Sequence, residues 1–336
     1  MQFTSLKWMC VVLTSSLVGC SQITPLPEHQ VALSQTYPLQ TQGNYQVLSW
    51  DNYVNDQQLI NLVDLALVSN QDLKIASLRI HEAQAAYGIQ RAELFPNIGG
   101  NAGMERNHVP ADLSYVGREM TTSQYSVGLG MNQWELDLWG RIRSLNEAAL
   151  QQFFAVESNV QAVRNSLIQQ TVLSYLTLSE LDKRIYFAQR SVQNYEKSVR
   201  LFKRRYEVGA RSKVEYMQAK TMLSNGQALV TQLEKSRALT ANYLVQLVGQ
   251  PTSLHQTDLD QVTFKTGVLH TGLPSDLLLN RADIRASEAM LKSKHANINA
   301  ARAAFFPRIT LTGSLGTASA DLDGLFKSGS SVWSFA

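Results

Sequence analysis

Hydrophobic positions along this chain change period several times, and the changes divide it into elements. From Gln57 they recur at helical spacing. Leu59, Leu62, Val63 and Ala66 mark one face, and Ile75, Leu78, Ala85, Ile89 and Ala92 continue it to Phe95-Pro96, which predicts a single helix ending there. The period then drops to two. Ile98, Gly100, Ala102 and Met104 alternate with Asn97, Gly99, Asn101 and Gly103. After a polar loop from Glu105 to Ser123, a returning strand sets Tyr125, Val127, Leu129 and Met131 against Ser126, Gly128, Gly130 and Asn132. Gly140 closes it. Beyond, Leu178, Leu181, Ile185, Ala188, Val192, Tyr195, Val199, Phe202 and Tyr206 are spaced three and four residues apart without a break, which is a coiled-coil seam. No glycine lies between Arg141 and Val208 and no proline between Ala111 and Gln250, so the pattern predicts a helix about 100 Å long at ~1.5 Å per residue. Charges recur along all of it, which excludes a transmembrane helix. Gly209 breaks this helix, and Ser212 is placed to cap a second one. Ala219, Leu223, Val230, Leu233, Leu244 and Leu247 keep the same register until Gly249 and Pro251 end it. The two form an αα-hairpin spanning 141–248 with its tip near 206–212.

The first pattern occurs twice. Asn70-Gln71-Asp72-Leu73-Lys74 aligns with Arg281-Ala282-Asp283-Ile284-Arg285 at an offset of 211 residues. The same offset pairs Ala85 with Ala296, Arg91-Ala92 with Arg302-Ala303, Phe95-Pro96 with Phe306-Pro307, and Ile98 with Ile309. After the second Phe-Pro, Ile309, Leu311, Gly313 and Leu315 again oppose Thr310, Thr312, Ser314 and Gly316. The chain is read as a duplicated unit. Strands apolar on one face and small or polar on the other suit a membrane β-barrel, and equally an ordinary half-buried hairpin.

Composition and charge narrow the function. With 30 basic against 27 acidic residues, the formal charge of +3 is too balanced for a protein that tracks phosphates. The six histidines show no metal-ligand spacing, and no nucleophile elbow or dinucleotide fingerprint occurs, so neither an enzyme nor a cofactor is expected. Glu135 and Asp137, two residues apart just before the helix start at Arg141, suit helix-start electrostatics better than paired acid–base chemistry. At the N-terminus, Lys7, the apolar stretch Trp8 to Leu13 and Leu17-Val18-Gly19-Cys20 read as a secretion signal, 1–19. Leu-Val-Gly-Cys resembles the lipobox of bacterial lipoproteins, which implies acylation at Cys20. Ser21 in place of aspartate implies export to the outer membrane. Cys10 leaves with the signal, so no intramolecular disulfide is expected. Residues 20–56 read as an extended tether and 251–273 as a linker between the first repeat, 57–250, and the second, 274–336.

Lipobox, helix, Phe-Pro, strand, loop, strand, long hairpin and restart together resemble the TolC-type outer-membrane efflux proteins, specifically their lipoprotein branch. The matching residues are Trp50, Ala66-Leu67, Asn70, Asp72-Leu73, Phe95-Pro96, Trp134-Glu135-Leu136-Asp137-Leu138-Trp139-Gly140-Arg141, Glu207-Val208-Gly209 and Arg281 to Gly313. The resemblance implies a mainly α fold with a membrane β-barrel portion, in which duplicated long helical hairpins form a coiled-coil tunnel. It implies a homotrimer whose subunits share one barrel, partnered by a periplasmic adaptor and an inner-membrane pump and exporting drugs or other small solutes. Ile98, Tyr125, Val127, Leu129, Met131, Ile309, Leu311 and Leu315 would belong to the barrel strands. Val208, Gly209 and Ala210 would be the tip that docks the adaptor, with Arg200, Lys203, Arg204 and Arg205 either beside it as partners or simply solvated. Alanines 83, 85, 86, 92, 296, 300, 301, 303 and 304 would let tunnel helices pack closely. The competing reading is a lipid-anchored periplasmic coiled-coil scaffold with no pore. Trp333-Ser334-Phe335 looks like the start of a fourth strand. The repeat arithmetic then leaves that strand and a second hairpin absent, so the chain is expected to be a piece of a longer channel subunit that neither folds stably alone nor supports efflux.

Overall fold

The computed structural model describes residues 24–25, 50–254 and 275–336. The signal, Cys20, most of the tether and most of the linker lie outside the described residues. The chain divides into two compact units.

The helical unit comprises Val31–Ile80 and Glu157–Arg285. Its elements are α1 (Gln57–Ser69), the start of α2 (Gln71–Ala92), most of α3 (Arg141–Glu207), and α4 (Lys213–Val248). Asp56 starts α1 by accepting hydrogen bonds from the N–H groups of Gln58 and Leu59 at 2.8 and 3.2 Å. The single helix expected from Gln57 to Ala92 is in fact two. Asn70 leaves the helical region at ψ 129°. Its Oδ1 accepts from Leu73 N–H at 2.9 Å to begin α2, and its Nδ2 donates to the Leu247 carbonyl at 2.8 Å. One amide thereby replaces the backbone bonds that the break gives up, which hydrophobic periodicity does not register.

The core forms where α1 meets the base of the hairpin. Leu59, Val63, Tyr175, Leu178, Leu244 and Val248 are fully buried there, each aliphatic side chain contributing about 1.5–3 kcal/mol. Tyr175 also donates its hydroxyl to Asp56 Oδ2 at 2.6 Å. Further along the seam, Leu181, Ile185 and Ala188 pack with Leu233, while Val192, Tyr195, Val199 and Phe202 are half-buried toward the tip. Between the two clusters Arg237 donates Nε and Nη2 to the Asp182 carboxylate, whose side chain is only 7% exposed.

The second unit comprises Met1–Gln30, His81–Val156 and Ala286–Ala336. It holds the ends of α2 and α5 (Ala282–Ala303), the start of α3, and a four-stranded antiparallel sheet in the order β1-β2-β3-β4. The strands are β1 (Ile98–Val109), β2 (Met120–Glu135), β3 (Thr310–Ser319) and β4 (Ser331–Phe335). The loop after β1 is shorter than the expected Glu105–Ser123. Cross-strand pairing carries Glu105 opposite Gln124 and on to Val109 opposite Met120, because polar side chains in an exposed sheet cost the ladder nothing. The start of a fourth strand, expected at Trp333-Ser334-Phe335, is formed over five residues, with Trp333 opposite Leu315 and Phe335 opposite Gly313. α2 and α5 are both 22 residues long, and their bounds differ by the repeat offset.

Candidate functional site

Three places carry the residues singled out from the sequence. At the hairpin tip, α3 ends in a Schellman motif: Ala210 N–H donates to Arg205 O at 2.8 Å and Gly209 N–H to Tyr206 O at 3.0 Å. Gly209 sits at φ +72°, where a β-carbon is strained although it would meet nothing within 4 Å. Val208 is 71% exposed. Contacts brace both sides of the turn. Tyr206 stacks parallel on Tyr216 with centroids 6.0 Å apart, and Ser212 and Glu215 form a capping box at the start of α4. The Ser212 backbone N–H, with Arg211 beside it, holds the Glu215 carboxyl below the usual carboxylate range. A depressed value stabilises the folded tip above the ordinary carboxylate range, and that contribution is lost as pH falls through the lowered value.

Lys203 pairs with Glu207 at 3.8 Å and Arg211 with Glu215 at 2.9 Å. Residues 197–213 hold seven basic side chains and one acidic, so this short stretch outweighs the +3 of the whole chain.

In the sheet, direct pairing puts Tyr125, Val127, Leu129 and Met131 on one face with Ile98, Gly313 and Leu315. Across all four strands run the rows Trp333, Leu315, Leu129, Gly100 and Phe335, Gly313, Met131, Ile98. Leu129 and Leu315 are 58% and 64% exposed. A bulge between Met131 and Trp134, with Gln133 at φ 50°, returns Trp134 opposite Leu311. Ile309 lies one residue before β3, its carbonyl accepting from Leu136 N–H at 2.8 Å.

The third place is the junction below β2. Asp137 caps α3, accepting from the N–H groups of Ile142 and Arg143 at 3.1 and 2.8 Å. Glu135 binds the Arg141 guanidinium through two bonds of 2.9 and 2.6 Å. Trp139 stacks on Phe306 at 4.8 Å and donates Nε1–H to the Pro307 carbonyl at 2.9 Å. The two acids thus position the start of a helix. Of the alanines, Ala296, Ala300 and Ala303 are buried, whereas Ala85, Ala86 and Ala92 are exposed in the single chain.

Sequence reasoning missed four polar contacts: the Asn70 break, the Tyr175 bond to Asp56, the Asp182–Arg237 pair, and Thr24 on α5. Asp182 had a signal available, since it lies one residue beyond seam position Leu181 and faces a basic residue at the matching level of α4. No helix among the described residues is long and apolar enough to cross a membrane.

Long hairpin, sheet with an uncovered apolar face and duplicated Phe-Pro junction define the subunit of an outer-membrane channel. The Outer membrane efflux protein family profile matches residues 62–250 and 273–336, and the chain belongs to that family. The solvent efflux pump outer membrane protein SrpC of Pseudomonas putida is 37% identical over 347 residues, an alignment covering 100% of this chain and 73% of that protein. Outer membrane protein OprJ of Pseudomonas aeruginosa is 37% identical over 290 residues, covering 86% and 60%. Among solved structures, a membrane protein from Pseudomonas aeruginosa superposes with a TM-score of 0.84 at 35% identity, covering 94% of this chain and 72% of that one. The open state of the Neisseria gonorrhoeae MtrE outer membrane channel gives 0.80 at 35% identity, covering 94% and 71%. The chain is therefore an outer-membrane efflux channel subunit, which displaces the alternative of a poreless scaffold.

Proposed function

We propose that this subunit forms, with two further copies, one barrel in the outer membrane, and that its hairpin tip at Val208, Gly209 and Ala210 receives a periplasmic adaptor bound to an inner-membrane pump. The strand order β1-β2-β3-β4 carries this reading. Within one chain β1 and β4 each have a single neighbour, and an open edge in lipid leaves backbone groups that cost several kcal/mol each. Pairing β4 of one protomer with β1 of the next joins the sheets into a ring over the five residues that β4 supplies, while the exposed Trp333, Leu315 and Leu129 row meets lipid. The Trp139–Phe306 stack ties the chain entering β3 to the start of α3. Residues 57–250 and 274–336 serve as the two repeats, and Cys20 anchors the mature chain by its acyl groups. The cargo is drugs or other small solutes; relatives named for solvent, toluene and antibiotic efflux support that class.

Purified trimer in planar bilayers should give discrete single-channel conductance steps, an outcome that would overturn the expectation of a piece that supports no efflux alone, and a bilayer that stays silent at saturating protein would remove the pore. The tip has its own test. Gly209→Trp introduces a β-carbon at φ +72° and a bulky ring at the projecting end. Adaptor cross-linking should fall at least tenfold while trimer migration on gels is retained. Unchanged cross-linking in a trimeric variant would move the docking surface elsewhere.

A further inference from the structure

Thr24, four residues beyond Cys20 in the sequence, lies against α5. The Thr24 carbonyl accepts from Asn299 Nδ2 at 3.3 Å, and Thr24 Oγ1 accepts from Arg302 Nη1 at 2.6 Å. These are contacts across nearly the whole length of the sequence, 275 and 278 residues apart. Asn299 is only 5% exposed, and its Oδ1 is buried without a hydrogen-bond partner among the described residues. Thr24 satisfies the Nδ2 of this buried amide and leaves Oδ1 open, so without Thr24 both polar atoms of Asn299 would stand unpaired on an alanine-lined helix face.

The duplication provides an internal comparison. α2 and α5 match residue for residue at the repeat offset, so Arg302 corresponds to Arg91 and Asn299 to Gly88. Gly88 has no side chain to donate, and a β-carbon there would meet nothing within 4 Å. The arginine is common to both copies; the asparagine is present in the second alone. Gly88 is exposed where Asn299 is buried, so only the second copy places a polar side chain in a covered helix face at this position.

We infer that Asn299 and Arg302 form a latch for Thr24, holding it against the last two turns of α5. This inference rests on the reading of Cys20 as the acylated residue for its purpose, though not for its geometry. Thr24 is four residues beyond Cys20, a span of at most about 14 Å. The latch therefore holds the lipid anchor close to the helix end that leads through Phe306-Pro307 into β3. Asn299 and Arg302 are positioning residues: they set the level at which the acyl chains enter the bilayer relative to the barrel.

The test uses the full chain in outer membranes. The natural sequence has cysteine only at 10 and 20, so T24C/N299C supplies the one pair of free thiols once the signal is removed and Cys20 is acylated. Oxidation should close T24C/N299C as an intrachain disulfide, seen as a mobility shift on non-reducing gels, and should not close T24C/G88C. In N299A/R302A, proteolytic removal of the N-terminal stretch should quicken at least tenfold, with fatty-acid labelling and trimer migration unchanged. Equal closure of both thiol pairs, or an unchanged cleavage rate, overturns the latch. Fatty-acid label retained on C20S overturns the anchor reading instead, and the disulfide result then decides the latch alone.

Discussion

Gly249→Ala is expected to destabilise the subunit by about 3 kcal/mol, through two costs that act together. The residue caps α4 at φ +79°, where an L side chain costs roughly 1–2 kcal/mol. A β-carbon would also stand 2.5 Å from the Ser69 carbonyl oxygen and 3.1 Å from Asn70 Cα, and backbone cannot swing aside as a side chain can. Those neighbours form the break between α1 and α2, so relieving the clash means displacing the Asn70 amide from Leu247. Gly249→Asn separates the two costs, because asparagine accepts the left-handed conformation but still carries the β-carbon. The temperature at which the trimer is lost on gels should fall for both variants, and less for asparagine, which keeps only the clash. If asparagine restores stability, the close approach contributes little and the backbone angle alone matters.

Removing one partner of the Asp182–Arg237 pair has a comparable expected effect. Asp182→Leu leaves a guanidinium aimed into the seam between two apolar clusters, and arginine cannot shed its proton to escape. Hydrogen bonding to Asp182 raises the arginine's affinity for its proton still further in the native chain. Breaking a buried pair in this way costs about 3 kcal/mol, at the low end of the usual range because Arg237 is 27% exposed. The double variant Asp182→Leu with Arg237→Met should recover most of the loss, since the seam on either side is aliphatic. A double-mutant cycle on urea unfolding measures the coupling. Additive losses in the two single variants would mean that the pair acts as two independent surface charges.

The hairpin was the most legible part of the chain. Its signal is long, repeats every seven residues, and is closed by residues with definite conformational meaning: Ser212 and Glu215 at one end, Gly249 at the other. The duplication was legible because Phe-Pro stops a helix wherever it stands. What stayed hidden was polar and non-local. Nothing in the spacing of Leu59, Leu62, Val63 and Ala66 along α1 distinguishes Asn70 from any surface asparagine, since its role depends on a carbonyl 177 residues away. The strand ends were under-read for a different reason. Glu105 to Val109 alternates without an apolar face, and only the partner strand, pairing through Met120, reveals it as extended. At the site, spacing located the tip and the acids at the helix start, whereas the rows across the sheet required the register of four strands.

The unequal surroundings of the two Phe-Pro copies bear on how an assembly of this subunit counts its parts. Phe306 is stacked on Trp139, while Phe95 stands exposed, although the helices before them agree in length to the residue. A ring of three such chains presents six helices of one backbone design, yet true threefold and not sixfold symmetry governs their side chains. Substitutions made at matching positions of the two copies are consequently distinct experiments, and each copy is free to drift under its own selection.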